Sequence, residues 1–487
     1  MKKIKFIFIT IAALTMVACT SDADYEDLNK DPNNPVEASA ESLFSAAQKT
    51  LVDEVNDIDY RDAPFMLYAQ YAQQTTYTDE SQYDMKNRGI PGEIFSTVYQ
   101  NILYDLKDAA SLVSDDEFKS AQIELLAVYA WQYLVDNFGN VPYSEALKVI
   151  GEDQILAPKY DDAATIYADL MSRAVAAKVM LGGSGDGFTN ADFVLAGDKD
   201  AWLKFANSLI IKIGVRATGN TFKAEVEAAA SGALGSNADN VTMDYEGSTP
   251  NTNPSWLDLV QSGRNDFVLG KPFVDALISA DLEDPRQDVF FDPESKMVID
   301  TLSNGDLVEN YKGGVIGQKS AWSAHSKLGT KLFDPTFRGV LFDFAEISFY
   351  LADASARGWD VGGDAPTHYA NGIKASFTDW GLTEAAADAY LLKPKVAYAT
   401  ADGTADEKIG KQLWIAMFNR GFEGWTAYRR YGGAPLSQSE LAEDDFKDVP
   451  RRLTYPVVEQ TRNPSNYTAA ASAIGGDKQS TKIFWDN

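Results

Sequence analysis

The sequence predicts a mainly α-helical fold, and two observations carry that prediction. Apolar residues recur at helical spacing in four separate stretches, and each stretch describes one face of an amphipathic helix. Long irregular segments separate these stretches, with room for only a few short strands, for example around residues 296–300. Because an amphipathic face must be buried against another element, we expect the helices to pack into one core that supports long loops.

The helical stripes are defined by apolar residues spaced three and four positions apart. They are Ile123, Leu126, Ala127, Ala130, Trp131 and Leu134; Trp202, Phe205, Ala206, Leu209, Ile210 and Ile213; Val340, Phe344, Ile347, Leu351 and Ala354; and Ile409, Leu413, Ala416 and Met417. Trp131, Trp202 and Trp414 lie on or beside these stripes, so we expect their rings in the core. The irregular segments fall at residues 182–200, 237–261 and 285–337, and loops of such length are usually functional or packed on themselves.

Composition excludes several functional classes. The chain holds 71 acidic and 43 basic residues, for a net charge of -28, which disfavours binding to phosphate backbones or anionic lipid. With one cysteine, the chain can form neither a disulfide within itself nor a cysteine-based metal site. Its two histidines, far apart in the sequence, argue against a zinc site or a Ser-His-Asp triad. We therefore expect no metal and no cofactor. A pair of carboxylates could still hydrolyse a glycosidic bond, so a secreted hydrolase stays open.

The N-terminus carries the clearest local signal. Lys2, Lys3 and Lys5 precede an apolar run that is too short to span a bilayer, as in a signal peptide. The run ends in Met16-Val17-Ala18-Cys19, which resembles a bacterial lipobox with methionine at the usual leucine position. We expect residues 1–18 to be cleaved and Cys19 to be acylated; the alternative is an ordinary signal peptide with an incidental cysteine.

An acidic stretch follows Cys19. Residues 20–27 read Thr-Ser-Asp-Ala-Asp-Tyr-Glu-Asp, and the turn-rich residues 27–35 then precede the globular part. The stretch resembles a surface-export signal of Bacteroidetes lipoproteins, although a solvated tether explains it equally well. We assign residues 19–36 as a flexible tether and residues 37–487 as a single domain.

Aromatic side chains in loops are the candidates for ligand binding. Aromatic residues make up 12% of the chain, and their faces can stack on the apolar faces of sugar rings. Those outside helical stripes are the ones available for stacking, with a nearby carboxylate for hydroxyl groups. The candidate ligand-binding residues are Tyr77, Asp79, Tyr83, Trp256 and Trp322. Packing within the loops is the alternative for each of them.

Several segments taken together resemble the SusD/RagB family, in particular its second SusD-like branch. They occur in family order over nearly the whole mature chain. The segments are Leu28-Asn29-Lys30-Asp31-Pro32-Asn33-Asn34-Pro35; Asp136-Asn137-Phe138-Gly139-Asn140-Val141-Pro142-Tyr143-Ser144-Glu145-Ala146-Leu147; Trp202-Leu203-Lys204-Phe205-Ala206-Asn207-Ser208-Leu209, followed by Arg216; Asp284-Pro285-Arg286 with the later Tyr311-Lys312-Gly313; Phe344-Ala345-Glu346-Ile347 through Ala356-Arg357-Gly358; Glu423-Gly424-Trp425-Thr426-Ala427-Tyr428-Arg429-Arg430; and Pro450-Arg451-Arg452-Leu453-Thr454-Tyr455-Pro456, running to Asn463, Asn466 and Tyr467.

This resemblance implies an all-α fold, in which tetratricopeptide-like helix pairs support irregular loops. Members bind oligosaccharides or polysaccharides at the outer membrane, facing the cell exterior, without catalysis. They act as lids on a SusC-like TonB-dependent transporter. Their glycan-contacting residues vary, so no ligand position transfers to this chain. We expect Arg429, Arg430, Arg451 and Arg452 to have structural roles, pairing with acids such as Glu423 or Glu346.

Three functional hypotheses follow. The first is a non-enzymatic, glycan-capturing lipoprotein of a nutrient uptake system, with a β-glucan such as laminarin as one candidate ligand. The second keeps the same fold and binds peptides, as some relatives do. The third is the secreted glycoside hydrolase. Nucleic acid is not expected as a partner of any of them.

Overall fold

The computed structural model describes residues 38–59, 63–149, 154–303, 305–442 and 446–486. The helices of eight or more residues are α1 (Ala40–Asn56), α2 (Tyr104–Ser111), α3 (Glu117–Phe138), α4 (Ala163–Met180), α5 (Lys199–Arg216), α6 (Lys271–Ile278), α7 (Phe344–Ala356), α8 (Ala365–Asp379), α9 (Glu384–Leu391), α10 (Ala405–Ala416), α11 (Gly421–Tyr431) and α12 (Pro464–Ala473). Shorter α-helices span Phe65–Tyr68, Met85–Arg88, Ile90–Ser96, Lys223–Ala229, Pro254–Trp256, Gln287–Phe290 and Glu459–Arg462. π-Helical turns span Thr97–Leu103 and Leu257–Gln261, and several 3-10 turns lie in the loops.

The strands are short and form two-stranded antiparallel ladders. They are β1 (Ala72–Gln74) with β5 (Phe267–Leu269), β2 (Val141–Pro142) with β3 (Tyr160–Asp161), β4 (Val241–Met243) with β8 (Gly339–Phe342), and β6 (Met297–Thr301) with β7 (Leu307–Asn310). Strand β6 confirms the strand expected around residues 296–300. The fold is thus the all-α class with a few short strands.

Local signals set where the long helices begin and end. Asp116, Asp162 and Asp198 each accept a backbone N–H of the first turn, so α3, α4 and α5 start at side-chain caps. Thr404 and Glu407 form a reciprocal capping box at the start of α10. Helix α3 ends at Gly139, whose φ of 77° lies in the left-handed region that glycine adopts without strain.

Consecutive helices pack in pairs, as the resemblance implied. Helix α3 contacts α4, α4 contacts α5, α7 contacts α8, and α10 contacts α11. One continuous apolar cluster runs through the described residues from Ala40 to Trp485. The indole rings of Trp131, Trp202 and Trp414 belong to it, which confirms the core prediction for all three.

A network of buried charges ties the helix pairs together. On α5, Lys212 donates to Glu423 at 2.6 Å and lies 3.2 Å from Glu346, while Arg216 pairs with both Asp136 and Glu423. Burial alone would raise the pKa of Glu423, but the positive charges of Arg216, Lys212 and Arg420 outweigh it and lower that pKa to about 2. Each charge is therefore compensated where solvent cannot reach it.

The C-terminal end of the described chain joins this network. The indole N–H of Trp485 donates to Asp136 Oδ1 at 2.7 Å, and the ring is fully buried. The Arg429 guanidinium lies 4.8 Å from the centroid of the Trp485 ring and 3.4 Å from that of Trp425. Trp485 thus packs between elements that lie far apart in the sequence.

The structure corrects the acidic partners expected for Arg429, Arg430, Arg451 and Arg452. Glu423 and Glu346 pair instead with Lys212 and Arg216 of α5 and with Arg420, which directly precedes α11. The four arginines have other neighbours, although their roles are structural. Arg429 stacks on two tryptophans, Arg430 lies 3.9 Å from Asp353, Arg451 pairs with Asp486 at 3.0 Å, and Arg452 pairs with Asp477 at 2.7 Å.

One further sequence expectation changes in detail. Val340 does not continue the stripe of α7, because it lies in β8 and the helix begins only after Asp343 caps the N–H of Glu346. The glycine run at residues 182–187 is held against the start of α3: the carboxylates of Glu117 and Asp116 accept the backbone N–H groups of Ser184 and Asp186 at 2.8 and 3.2 Å.

Candidate functional site

The β1–β5 ladder fixes the position of the polar segment that follows β1. Thr75 extends the pairing, with its N–H donating to the carbonyl of Asp266 at 2.8 Å and its hydroxyl to that of Asn265 at 2.7 Å. Residues 75–84 therefore leave the ladder beside residues 264–266, although the two segments are far apart in the sequence. This pairing places side chains of the two segments next to each other, and their spacing in the sequence does not predict that proximity.

Tyr77 is the most exposed of the candidate aromatic residues, with 64% of its surface accessible. The guanidinium of Arg264 lies 5.5 Å from the centroid of its ring, a cation–π distance. Arg264 also pairs with Asp266, Nε to Oδ2 at 2.6 Å. One face of the Tyr77 ring is thus supported by a cation while the side chain remains open to solvent.

Asp79 lies two residues further on and is half-buried. Its backbone carbonyl accepts the N–H groups of Gln82 and Asp84, so it sits at the centre of a tight turn. The neighbouring Glu80 is fully buried and bonded to Gln74 and Arg88. No hydrogen bond or ion pair engages the Asp79 carboxylate among the described residues, which leaves its oxygens free to accept from a ligand.

Tyr83 is removed from the candidate set. Its ring is 1% exposed and packs edge-on against Tyr68 at 5.6 Å, while its hydroxyl accepts from Gln70 Nε2 at 3.2 Å. Burial raises its pKa well above the usual range. A residue enclosed in this way has no ring face to offer a sugar, and its role is packing.

Trp322 opens a 3-10 turn, Trp322–Ala324, and is half-buried. The ammonium of Lys327 lies 4.7 Å from the centroid of its ring and donates to the carbonyls of Trp322 and His325. Burial lowers the pKa of Lys327. Lys327 thereby closes the turn and supports one face of the indole, which resembles the arrangement of Arg264 and Tyr77.

Glutamine side chains attach the Trp322 loop to the Tyr77 segment. Gln73 Nε2 donates to the carbonyl of Gln318 at 2.9 Å, and Gln73 Oε1 accepts the N–H of Gly317 at 3.2 Å. Gln82 Nε2 donates to the carbonyl of Gly317 at 2.8 Å. Because these bonds involve backbone groups of the loop, they fix the loop whatever its side chains are.

Trp256 lies on the connected segment that precedes Arg264. The ring is half-buried at the end of the short helix Pro254–Trp256, which Asn253 caps. Asn253 also donates through Nδ2 to the carbonyl of Phe337 at 2.7 Å. Leu257 and Val260 are 38% and 39% exposed on the turn that leads towards Arg264.

We call these three connected segments, residues 75–84, 253–266 and 313–327, the loop face. Tyr77, Asp79, Trp256 and Trp322 lie on it, and none of its three candidate rings contacts another aromatic ring among the described residues.

Arg264 was missed at the sequence level. Its only local signal is a cation in the polar run Ser262-Gly263-Arg264-Asn265-Asp266, and its position beside Tyr77 depends on the β1–β5 pairing.

The loop face has the chemistry of a binding surface for hydroxyl-rich ligands. Open aromatic faces suit the apolar faces of sugar rings, and the free Asp79 carboxylate and Arg264 suit their hydroxyls.

Within the described part of the chain, no group of histidine, cysteine, aspartate and glutamate side chains could hold a metal ion. No helix there combines the length and apolar character needed to cross a membrane.

Comparison with protein families gives a match at residues 32–456 to the second SusD-like family, described as starch-binding and associating with the outer membrane. The chain belongs to the SusD-like family. No curated protein matches it at the sequence level. The SusD-like assignment agrees with the helix pairs and long loops described above.

Solved structures show the same SusD-like fold. A chitin-binding protein is 25% identical, with a TM-score of 0.78 over 92% of this chain and 100% of its own. A chitin-binding SusD homologue from Flavobacterium johnsoniae is 23% identical, with a TM-score of 0.74 over 92% and 97%. A SusD homologue from Bacteroides ovatus is also 23% identical, with a TM-score of 0.75 over 92% and 99%.

Proposed function

We propose that this SusD-like protein captures a polysaccharide or oligosaccharide at the outer membrane and does not cleave it. The observation that carries the proposal is the loop face, where Tyr77, Trp256 and Trp322 stay at least partly exposed and free of other rings. In the core, by contrast, Trp131, Trp202, Trp414 and Trp425 pack against other rings. Large apolar faces held open to solvent in a stable position are what sugar stacking requires.

Chitin-type oligosaccharides are the first ligands to test. A structural relative at 25% identity is named as a chitin-binding protein, and its alignment covers nearly the whole of both chains. The loop face gives this ligand apolar rings for the sugar faces and Asp79 and Arg264 for hydroxyl and amide groups. A β-glucan such as laminarin remains the second ligand to test, and peptides are the third.

The membrane anchor belongs to the same proposal. Cys19, the signal peptide at residues 1–18 and the acidic tether at residues 19–36 lie outside the described residues. We propose that Cys19 is acylated and holds the single domain of residues 37–487 on the exterior of the outer membrane. Replacing Cys19 with alanine should release the protein from the membrane fraction, and external protease should degrade the wild-type protein on intact cells.

A TonB-dependent transporter of the SusC type is the proposed partner, with this protein as its lid. Family membership supports this partner, and a lipid tether would let the domain move over a pore without leaving it. A tagged copy purified from native membranes in mild detergent should bring down one large outer-membrane barrel in near-equal amount. Purification of the tagged protein alone in several detergents would contradict the lid assignment.

Binding to immobilised polysaccharide tests glycan capture directly. Purified wild-type protein should be retained by chitin, and Trp322→Ala should weaken retention because it removes a stacking surface; interface aromatics can contribute about 2 kcal/mol or more on truncation. Phe193→Ala is the matched control, since Phe193 is an aromatic residue 49% exposed outside the loop face. Chitin, laminarin and a peptide library in parallel decide the ligand class.

Two results would overturn the proposal. Equal retention of the wild-type protein, Trp322→Ala and Phe193→Ala would move the site away from the loop face. Release of new reducing ends during long incubation of the pure protein with its bound glycan, abolished by one aspartate or glutamate substitution, would make the protein a hydrolase.

A further inference from the structure

A cavity of about 410 Å³ opens outside the loop face. Its floor is formed by buried residues at the junction of α10 and α11, including Phe418 and Asn419, together with Trp380 after α8. Its walls come from residues 331–343, and Asp244 lies on its rim. The volume falls within the range of small-molecule sites, and none of its lining residues belongs to the loop-face segments.

The cavity contains hydrogen-bond donors that the protein leaves unused. The side-chain amide of Asn419 is bonded to no described residue although Asn419 is 7% exposed. The ammonium of Lys331 donates to the carbonyl of Trp380 at 2.8 Å, and two of its protons remain available. Burial lowers the pKa of Lys331. The Asn419 amide is not among the fully buried polar atoms that lack a partner, so it is accessible from the cavity that Asn419 lines.

Acceptors lie beside these donors. Asp244 is exposed on the rim and engages no partner among the described residues, and Asp379 uses Oδ1 for both Asn240 and Arg338. Asp343 pairs with Arg420 at 3.1 Å. The charged lining residues are three cations, Lys331, Arg338 and Arg420, and four acids, Asp244, Asp334, Asp343 and Asp379. This excess of negative charge disfavours an anionic ligand and permits a neutral one.

An aromatic wall and a strained backbone complete the site. The half-exposed Phe337 ring lies 5.8 Å from Trp380, centroid to centroid, and offers an apolar surface. Asn419 has a φ of 77°, in the left-handed region that non-glycine residues adopt at a cost. Strain of this kind concentrates at ligand sites, and here it occurs at the residue whose amide is unused.

We propose that this cavity is a second saccharide subsite, which takes one neutral sugar ring independently of the loop face. The donors of Asn419 and Lys331 and the acceptors of Asp244 and Asp379 would bond to hydroxyl groups, with Phe337 against the apolar face of the ring. A chain end or a branch of a glycan would fit, whereas a uronic acid would be repelled. This inference rests on the glycan-binding function proposed above.

The subsite is linked to the loop face through the backbone. Asn253, which caps the helix carrying Trp256, bonds through its N–H to the carbonyl of Pro335 at 2.8 Å and through its amide to that of Phe337. The cavity wall and the Trp256 segment are therefore held in one fixed arrangement. A branched glycan could use both surfaces at once.

Saturation-transfer NMR with glucose, galactose, mannose, N-acetylglucosamine and glucuronic acid tests the subsite. At least one neutral sugar should give signals in the wild-type protein and in the Tyr77→Ala, Trp322→Ala double variant. Asn419→Gly should weaken binding of that sugar by about fivefold, the value of one lost hydrogen bond, with no loss of stability because glycine accepts the backbone angle. Asp244→Ala should weaken it as well.

Asp115→Ala is the control, because Asp115 is exposed, unpaired among the described residues and distant in sequence from the cavity lining. Equal signals in Asn419→Gly and wild-type protein, no signal from any neutral sugar, or stronger signals from glucuronic acid would each overturn the subsite. Binding of the same samples to chitin and laminarin separates the two proposals. If the polymers bind through the loop face and the monosaccharide results fail, only the subsite is wrong.

Discussion

The buried network around Glu423 and the loop face use the same kinds of residue in opposite ways. In the network, the cation of Arg216 has two carboxylate partners and the Trp425 ring packs against Phe65 and Arg429. On the loop face, Tyr77 has a cation on one side only, and the Asp79 carboxylate has no partner. The two regions differ in how many contacts their side chains already make, and not in residue type. Side chains with unused bonding capacity are the ones that a ligand could contact.

The largest effect should come from removing one charge of the buried network. Glu423→Gln leaves Lys212 and Arg216 without their shared carboxylate, and breaking a buried pair costs about 3–5 kcal/mol in free energy of unfolding. Urea denaturation measures the loss. Glu440→Gln is the control, because Glu440 pairs with Lys447 at the surface, where such a bridge is worth at most about 1 kcal/mol. Similar losses in the two variants would contradict the structural role of the network.

Acid should weaken the network through the same carboxylate. The pKa of Glu423 in the folded state is about 2, below its ordinary value of 4.5. Its contribution to stability is therefore fully present above pH 4.5 and is lost as the pH falls towards 2. The difference in unfolding free energy between wild-type protein and Glu423→Gln should shrink over that range. A difference that stays constant down to pH 2.5 would refute the assignment.

A matched pair of tyrosines tests the division between packing and binding. Tyr77→Ala should weaken glycan binding by about 1–3 kcal/mol, with little change in melting temperature, because its ring is exposed. Tyr83→Phe should leave binding unchanged and lower the free energy of unfolding by about 1 kcal/mol, since Gln70 Nε2 loses one of its two acceptors and keeps only the carbonyl of Ser437. Calorimetric titration and thermal unfolding of both variants give the two readouts. The opposite pattern would return Tyr83 to the candidate site.

The smallest effect should come from the cation that supports Tyr77. Arg264→Ala removes a cation–π contact at an exposed position, which is worth about 0.5–1 kcal/mol and corresponds to a loss of affinity of a few fold. Arg264→Lys should recover part of it. Affinity for a neutral glycan should also vary little with salt in all these variants, because no charge pairing drives it. A steep salt dependence would indicate a charged ligand.

Local patterns predicted four of the long helices, α3, α5, α7 and α10, but they were insufficient for the proposed binding surface. The stripe around Trp202 predicted α5 because apolar spacing is a property of the segment itself. Val340 was assigned to the wrong element, although the capping pair Asp343 and Glu346 marks the true start of α7 in the sequence. A stripe of apolar residues cannot show where a strand stops and a helix begins.

The candidate site depends on contacts between distant segments, which spacing does not encode. Tyr77 and Tyr83 lie in one polar run, yet only Tyr83 turns inwards, where Tyr68 and Gln70 enclose it. Arg264 reaches Tyr77 only because β1 pairs with β5. No sequence pattern marks Asn419, because what distinguishes this residue is that its side-chain amide bonds to no described residue.

The position of Trp485 gives the buried network one contact of very long sequence separation. Its indole N–H donates a hydrogen bond to Asp136, a residue 349 positions earlier in the chain. A contact of such separation forms late, because the entropy of closing the intervening loop must be overcome first. The helix pairs are held by contacts between consecutive elements, whereas the bond between Trp485 and Asp136 joins two distant parts of the chain. Loss of the Trp485 side chain should therefore destabilise the domain, because it removes a buried hydrogen bond to Asp136.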